Sequence, residues 1–429
     1  MRVRPIALCL GLGAAQGLVL TAHAEYDAPI VLQNPGGGPV SQPYAINASG
    51  LSVGYAETQS NGIDAVLWSA SGSPTVLDDA DGQGFDVANA INASGKIVGT
   101  SETVSLIGEQ SVLWSSATPT QAQTLDDAGG QHFSDPLAVN ATGYSVGFSD
   151  TTNGYEAVLW APKGKPTVLG DVTGGIGQSE ALAINTAGQS VGFALTSKRQ
   201  DAVLWSSSGT VTVLKDAGGQ GVSEAVAINT KGQSVGYSET ASGQEAVLWS
   251  ATGKKATVLT DLGGQGFDQA LAMNNAGQSV GFSTTESGQE AVLWSSKGAA
   301  TMLQDLGGEG FDEPTAINAS GQSVGYTLTA SGDDAVLWSP LGVPTDLGAM
   351  LGSAWSNTLA VGLNNNGDII GYGDYDGGIS GFLLIDPPGP AAPELSTWTM
   401  LVAGFAGLGF VARRRSRPAP RSPEAASGV

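Results

Sequence analysis

Short apolar runs recur along this chain, each three to six residues long and flanked by Gly, Ser, Asn or Asp. Residues 257–294 carry the pattern once: T-V-L, then A-L-A-M-N, then Q-S-V-G-F-S, then A-V-L-W. Runs of this length, rich in β-branched and aromatic residues and punctuated by turn formers, predict strands. No helical spacing of apolar residues lasts long enough to compete. Between the second and third runs, Asn274-Asn275-Ala276-Gly277 predicts a tight hairpin, because Asn and Gly accept positive φ at little cost.

The pattern is a repeat. The A-V-L-W run or a close variant ends at Trp68, Trp114, Trp160, Trp205, Trp249, Trp294 and Trp338, at intervals of 44 to 46 residues. The first run ends at Leu32, Leu77, Leu125, Leu169, Leu214, Leu259, Leu303 and Leu347. The hairpin asparagine recurs at Asn47, Asn92, Asn140, Asn185, Asn229, Asn274, Asn318 and Asn364. Gly381 to Leu384 (G-F-L-L) supplies an eighth version of the tryptophan strand. A period near 45 residues with four strands suits one blade of a propeller, a unit that cannot bury its apolar face alone. The expected fold is therefore all-β: an eight-unit array read as an eight-bladed β-propeller, closed by pairing of the N- and C-terminal strands. Closure would leave no open sheet edge; an open β-solenoid is the structural rival. The recurring tryptophan reads as packing between sheets, with a sugar-stacking ring as the alternative.

Charge changes the picture next. The formal net charge is −22, with 39 acidic and 17 basic residues. Three sets of acids recur on the rim opposite the asparagine turns. One precedes the alanine of A-V-L-W: Asp64, Glu156, Asp201, Glu245, Glu290 and Asp334, with Ser111 in the odd copy. A second lies two residues beyond the first run: Asp79, Asp127, Asp171, Asp216, Asp261 and Asp305. A third sits in the inter-unit loop: Asp86, Glu180, Glu224, Asp268 and Asp312. Clustered carboxylates with loop carbonyls suit a hard cation, so the second set, with Asp81, forms a candidate calcium rim. The competing reading is that these aspartates cap turns and keep the rim soluble.

The unit resembles the bacterial extracellular HAF repeat, through its D-L-G-x-x-G and A-x-x-x-N-x-x-G-x-x-V-G segments and the strand ending in Leu-Trp. The resemblance covers nearly all of residues 29–386. Where that family has His, this chain has the acids of the first set.

Both ends read as processing signals. Arg2 and Arg4 precede an apolar stretch from Ile6 to Leu20 and then Ala22-His23-Ala24, a secretory signal cleaved before Glu25. The only cysteine, Cys9, leaves with it, so no disulfide is expected. Near the other end, Pro393-Glu394 precedes an apolar run from Trp398 to Ala412 and the basic cluster Arg413, Arg414 and Arg415. This resembles the PEP-CTERM sorting signal, although Leu395 departs from its Pro-Glu-Pro form. The resemblance implies a Gram-negative, exopolysaccharide-producing source, with signal peptidase and an exosortase-type enzyme as processing partners. It also implies transient membrane anchoring before release or attachment at the envelope. Residues 387–396 read as a linker and 416–429 as a tail. Without both ends the domain would carry about −28, which repels nucleic acid.

For function, one histidine, His132, remains beyond the signal. That excludes a His- or Cys-rich zinc site, and no Gly-rich segment opens a helix as a phosphate loop would. Each acid belongs to a repeated set and none is singled out. The sequence therefore predicts a secreted, non-catalytic surface or matrix protein, with extracellular polysaccharide or a basic protein as partner. A calcium- or glycan-binding module is the first alternative, and a carbohydrate-active enzyme the second.

Overall fold

The computed structural model describes residues 26–387, except 59–61, 81–83, 104–107, 130–132, 220, 265 and 309. The two end segments read above as processing signals, together with Asp81 and His132, lie outside the described residues. Among these residues the chain is strand and turn apart from one five-residue helix, Leu347–Leu351. No helix among them is long and apolar enough to cross a membrane.

Each repeat folds into a four-stranded antiparallel sheet. In one unit Asp268–Met273, Ser279–Thr285, Gly288–Trp294 and Ala300–Met302 pair in chain order. The sheets are six of four strands and one of eight. The larger one forms where Gly62–Trp68 meets Gly84–Ile91 in two parallel pairs, Gly62 with Gly84 and Ile63 with Phe85. Single parallel bridges link other sheets at the same place, including Gln244 with Phe267 and Gln289 with Phe311. Ile30–Leu32 pairs antiparallel with Gly378–Leu384, so the first strand completes the last sheet.

The core lies between sheets rather than within them. Val235, Ala246, Leu248 and Leu259 of one unit pack with Ala270, Val292 and Trp294 of the next. Every A-V-L-W tryptophan is fully buried. Its indole N–H donates to the carbonyl just beyond the outer strand of the preceding sheet: Trp294 to Thr260 at 2.8 Å, Trp338 to Gln304 at 2.7 Å. Each such ring removes roughly 200 Å² from water, about 5 kcal/mol as an upper estimate before entropy. The packing reading of the tryptophan thus gains a polar half, because burying the indole requires an acceptor.

The asparagine turns do more than turn the chain. Asn274 Oδ1 accepts the N–H groups of Ala276 and Gln278 at 3.1 and 3.0 Å, which shapes the hairpin. Its Nδ2 donates to the carbonyl of Asn318 at 3.0 Å, in the next unit. The same side-chain-to-carbonyl bond runs Asn47 to Asn92 to Asn140 to Asn185 to Asn229, and from Asn318 to Asn364 to Asn47. The amide accepts from its own turn and donates to a neighbour, whereas an ionised Asp could only accept.

The first strand of each sheet carries a bulge. Ala270 pairs with Gly281 and Ala272 with Val280, leaving Leu271 as the extra residue. The bulge brings the Gln269 carbonyl over Gly281, where a Cβ would overlap its oxygen. Corresponding contacts face Gly54, Gly99, Gly147, Gly192, Gly236, Gly325 and Gly371. This explains the V-G element of the repeat.

Candidate functional site

The acids of the three recurring sets gather at the ends of the sheets away from the asparagine turns, in the loops between sheets and beside the second hairpin. The set beginning at Asp79 follows the outer strands. Five of its members accept backbone N–H groups one to three residues further on. Asp127, Asp261 and Asp305 accept the N–H of Gly129, Gly263 and Gly307 at 3.1, 2.9 and 2.8 Å. Asp216 accepts from both Gly218 and Gly219. Asp171 accepts from Val172 at 2.7 Å.

Each of these aspartates belongs to a different inter-sheet junction, so the second set is not one continuous site. What the fold brings together is one member of each set at a single junction. Glu245 from a third strand, Asp261 from the loop and Asp268 from the next first strand have carboxylate oxygens within 4.8 Å of one another. Asp86 is coupled electrostatically to Asp79 and Asp64, and Asp312 to Asp305 and Glu290, but among the described residues only Glu245, Asp261 and Asp268 bring three carboxylates this close. Burial pushes Asp86 up to about 7 and Asp312 up to about 6; hydrogen bonds from Ser101 and Thr327 oppose this, and the neighbouring acids add to it.

The third set divides. Asp86, Asp268 and Asp312 pair with Ser101, Ser283 and Thr327. Glu180 and Glu224 sit one residue further along their strands, paired with Phe193 and Tyr237. In a strand a one-residue offset sends the side chain to the opposite face, so these two glutamates belong to a different surface. At the positions equivalent to Asp268 their units carry Ser179 and Ser223. Those hydroxyls accept the backbone N–H of Ala157 and Ala202 at 3.0 and 2.9 Å. The sequence alone grouped the five acids by loop and could not see the register.

On that other face, aromatic residues following V-G line up with polar residues of the first strands: Phe148 with Asp135, Phe193 with Glu180, Tyr237 with Glu224, Tyr326 with Glu313. Between two of these sheets lies a cavity of about 480 Å³ lined by Phe133, Phe148, Tyr155, Phe193, Glu180 and Gln200 among others. Phe133, Phe148 and Tyr155 form a mutual cluster with ring centroids 5.7 to 6.0 Å apart. Burial raises the Glu180 carboxyl, and Asp135 and Glu224 on the flanking strands add to it. Asp135 is pushed up to about 6 by burial and by Glu109, against the hydrogen bond from Asn89 at 2.7 Å. Gln200 donates to Glu224 at 3.0 Å. The aromatic recurring after V-G was visible in the sequence; that it faces a carboxylate was not.

No family model matches the chain, and no curated protein matches it. Solved structures do. A puromycin hydrolase S511A mutant complexed with PGG superposes at TM-score 0.50 and 12% identity, over 75% of this chain and 56% of that one. A prolyl endopeptidase superposes at TM-score 0.51 and 13% identity, over 71% of this chain and 49% of that one. The chain thus spans about half the length of these structures, and at such identity the likeness shows the fold alone, an all-β, propeller-like array. The sequence-based expectation of a non-catalytic surface protein is corrected by this comparison. Chains with this fold include hydrolases, so the repeat architecture does not mark the protein as non-catalytic.

Proposed function

We propose that this chain is an exported, closed eight-bladed propeller that binds a carbohydrate at the cavity beside Glu180. The observation that carries the reading is the lining of that cavity: the rings of Phe133, Phe148, Tyr155 and Phe193 beside the carboxylate of Glu180 and the amide of Gln200. A pyranose offers apolar C–H faces and a rim of hydroxyls, which such a wall of rings and acceptors complements. The volume of about 480 Å³ suits one or two sugar rings. The acids Asp135, Glu180 and Glu224 disfavour anionic sugars and favour neutral or amino sugars.

Closure into eight blades is supported by the pairing of Ile30–Leu32 with Gly378–Leu384 and by the Asn364-to-Asn47 bond. Export and C-terminal sorting rest on the resemblance of the two ends to a secretory signal and a PEP-CTERM signal. Mass spectrometry of the C-terminus in fractionated cells tests the sorting: a terminus near Glu394 supports it, and an intact Arg413 to Arg415 in the membrane fraction opposes it.

Binding is tested by calorimetry with neutral, amino and uronic oligosaccharides, with product release followed in the same mixtures to read any turnover. Binding of neutral or amino sugars, weakened about tenfold or more by Phe148→Ala with the fold intact, is the expected result, a loss of about 1.4 kcal/mol. Absence of binding to the whole panel would sink the reading.

A further inference from the structure

We infer that Glu245, Asp261 and Asp268 form a binding site for a hard divalent cation of calcium's class. These residues lie apart from the aromatic cavity, so the inference does not depend on the carbohydrate reading.

Three observations converge. First, the geometry fits. Carboxylate oxygens of the three residues lie within 4.8 Å of one another. Calcium holds oxygens at about 2.3–2.6 Å in a flexible shell, so three carboxylates this close can share one ion, whereas magnesium demands near-ideal octahedral geometry and sheds its waters reluctantly.

Second, an oxygen is left over. Asp268 is 1% exposed; its Oδ1 accepts the Thr284 N–H at 3.1 Å, while its Oδ2 has no hydrogen-bond partner. The same holds for Asp312 Oδ2 and Asp86 Oδ1, in residues 0% and 2% exposed. A buried carboxylate oxygen without a partner is costly, and a cation removes that cost. The serines and threonine at this position elsewhere are satisfied by a backbone N–H, as Thr358 is by Ala335 at 2.9 Å. Hydrogen bonding to the fold therefore does not require Asp.

Third, the chain supplies its own cation at a sister junction. Asp201 and Asp216 stand where Glu245 and Asp261 stand in the next unit. Arg199 reaches both, with Nε 2.8 Å from Asp201 and Nη1 3.6 Å from Asp216. The third place there is Ser223, not Asp. At that junction a guanidinium balances the two acids. Where three meet, no Lys or Arg pairs with Glu245, Asp261 or Asp268 among the described residues.

The test is calorimetric titration of the chelator-treated full chain with calcium chloride, and with magnesium chloride for comparison, alongside thermal melting. Calcium is expected to bind and to raise Tm, and magnesium to bind at least tenfold more weakly. Asp268→Ser, which installs the residue found at sister junctions, is expected to lower the calcium stoichiometry by one. The same variant is expected to lose the Tm response. Should it fail to fold, Asp261→Asn is expected to weaken the site at least tenfold. No calcium heat and no Tm shift at millimolar calcium, or an unchanged response in the folded variants, would overturn the inference.

Discussion

Asn364 Nδ2 donates to the carbonyl of Asn47 at 3.0 Å across 317 residues of sequence. The bond joins the last turn to the first and continues the series of bonds that links Asn47 through to Asn229 and Asn274 through to Asn364. Asn364 also accepts from the N–H groups of Asn366 and Asp368 and donates to Asp368 Oδ2. Asn364→Ala therefore removes several buried bonds at once. It is expected to lower stability by about 2–4 kcal/mol in urea unfolding. A loss under 0.5 kcal/mol would show that the series contributes nothing to holding the ends together.

Gly281 is required by the bulge opposite it. Alanine there would drive its Cβ into the backbone carbonyl of Gln269, and backbone cannot swing aside. Gly281→Ala is expected to cost about 2 kcal/mol or more. Gly307 has positive φ but open space around its Cβ position, so Gly307→Ala carries only the conformational penalty, about 1 kcal/mol. Comparing the two variants by denaturant midpoint separates the steric requirement from the conformational one.

The indole bonds between sheets predict an asymmetric response at Trp294. Trp294→Phe keeps most of the apolar burial but leaves the Thr260 carbonyl without its donor, at a cost of about 1–3 kcal/mol. Trp294→Ala also opens a cavity between two sheets and is expected to cost about 3–5 kcal/mol. Equal losses in the two variants would mean that the hydrogen bond, not the packing, dominates.

Stability should fall with rising pH in the presence of chelator. Burial is the leading cause that lifts Asp86 to about 7 and Asp312 and Asp135 to about 6, above the ordinary aspartate value of 3.8. A raised carboxylate contributes its stability below its unfolded value and loses it as pH climbs through the folded one. The window is therefore roughly pH 4 to 7, with Tm expected to be a few degrees lower at pH 8 than at pH 5. Asp216 works in the opposite sense. Its burial is outweighed by the Gly219, Gly218 and Ser238 hydrogen bonds and by Arg199, which together lower it. Asp86→Ser with Asp312→Ser should flatten the profile. A Tm that rises from pH 5 to pH 8 in chelator would contradict this.

The division between what was legible and what was not follows the range of the forces involved. Strands, hairpins, the period and the repeat count were written in the sequence because they depend on neighbours a few residues apart: β-branched runs, Asn-x-x-Gly turns, the spacing of Trp68 to Trp338. The burial of the tryptophans followed from their size and periodicity. What needed the tertiary structure was register and the meeting of separate units. Asp268 and Glu224 occupy the same loop in the sequence, yet one faces Ser283 and the other Tyr237, because a single step along a strand reverses the face. The asparagine was legible as a turn former, but its second bond goes to a carbonyl in the next unit, which no local pattern encodes. Likewise the recurring aspartates were legible as a set, but the meeting of Glu245, Asp261 and Asp268 from three elements at one junction was not. Local chemistry chose the elements; packing of one sheet on the next decided which charges face each other.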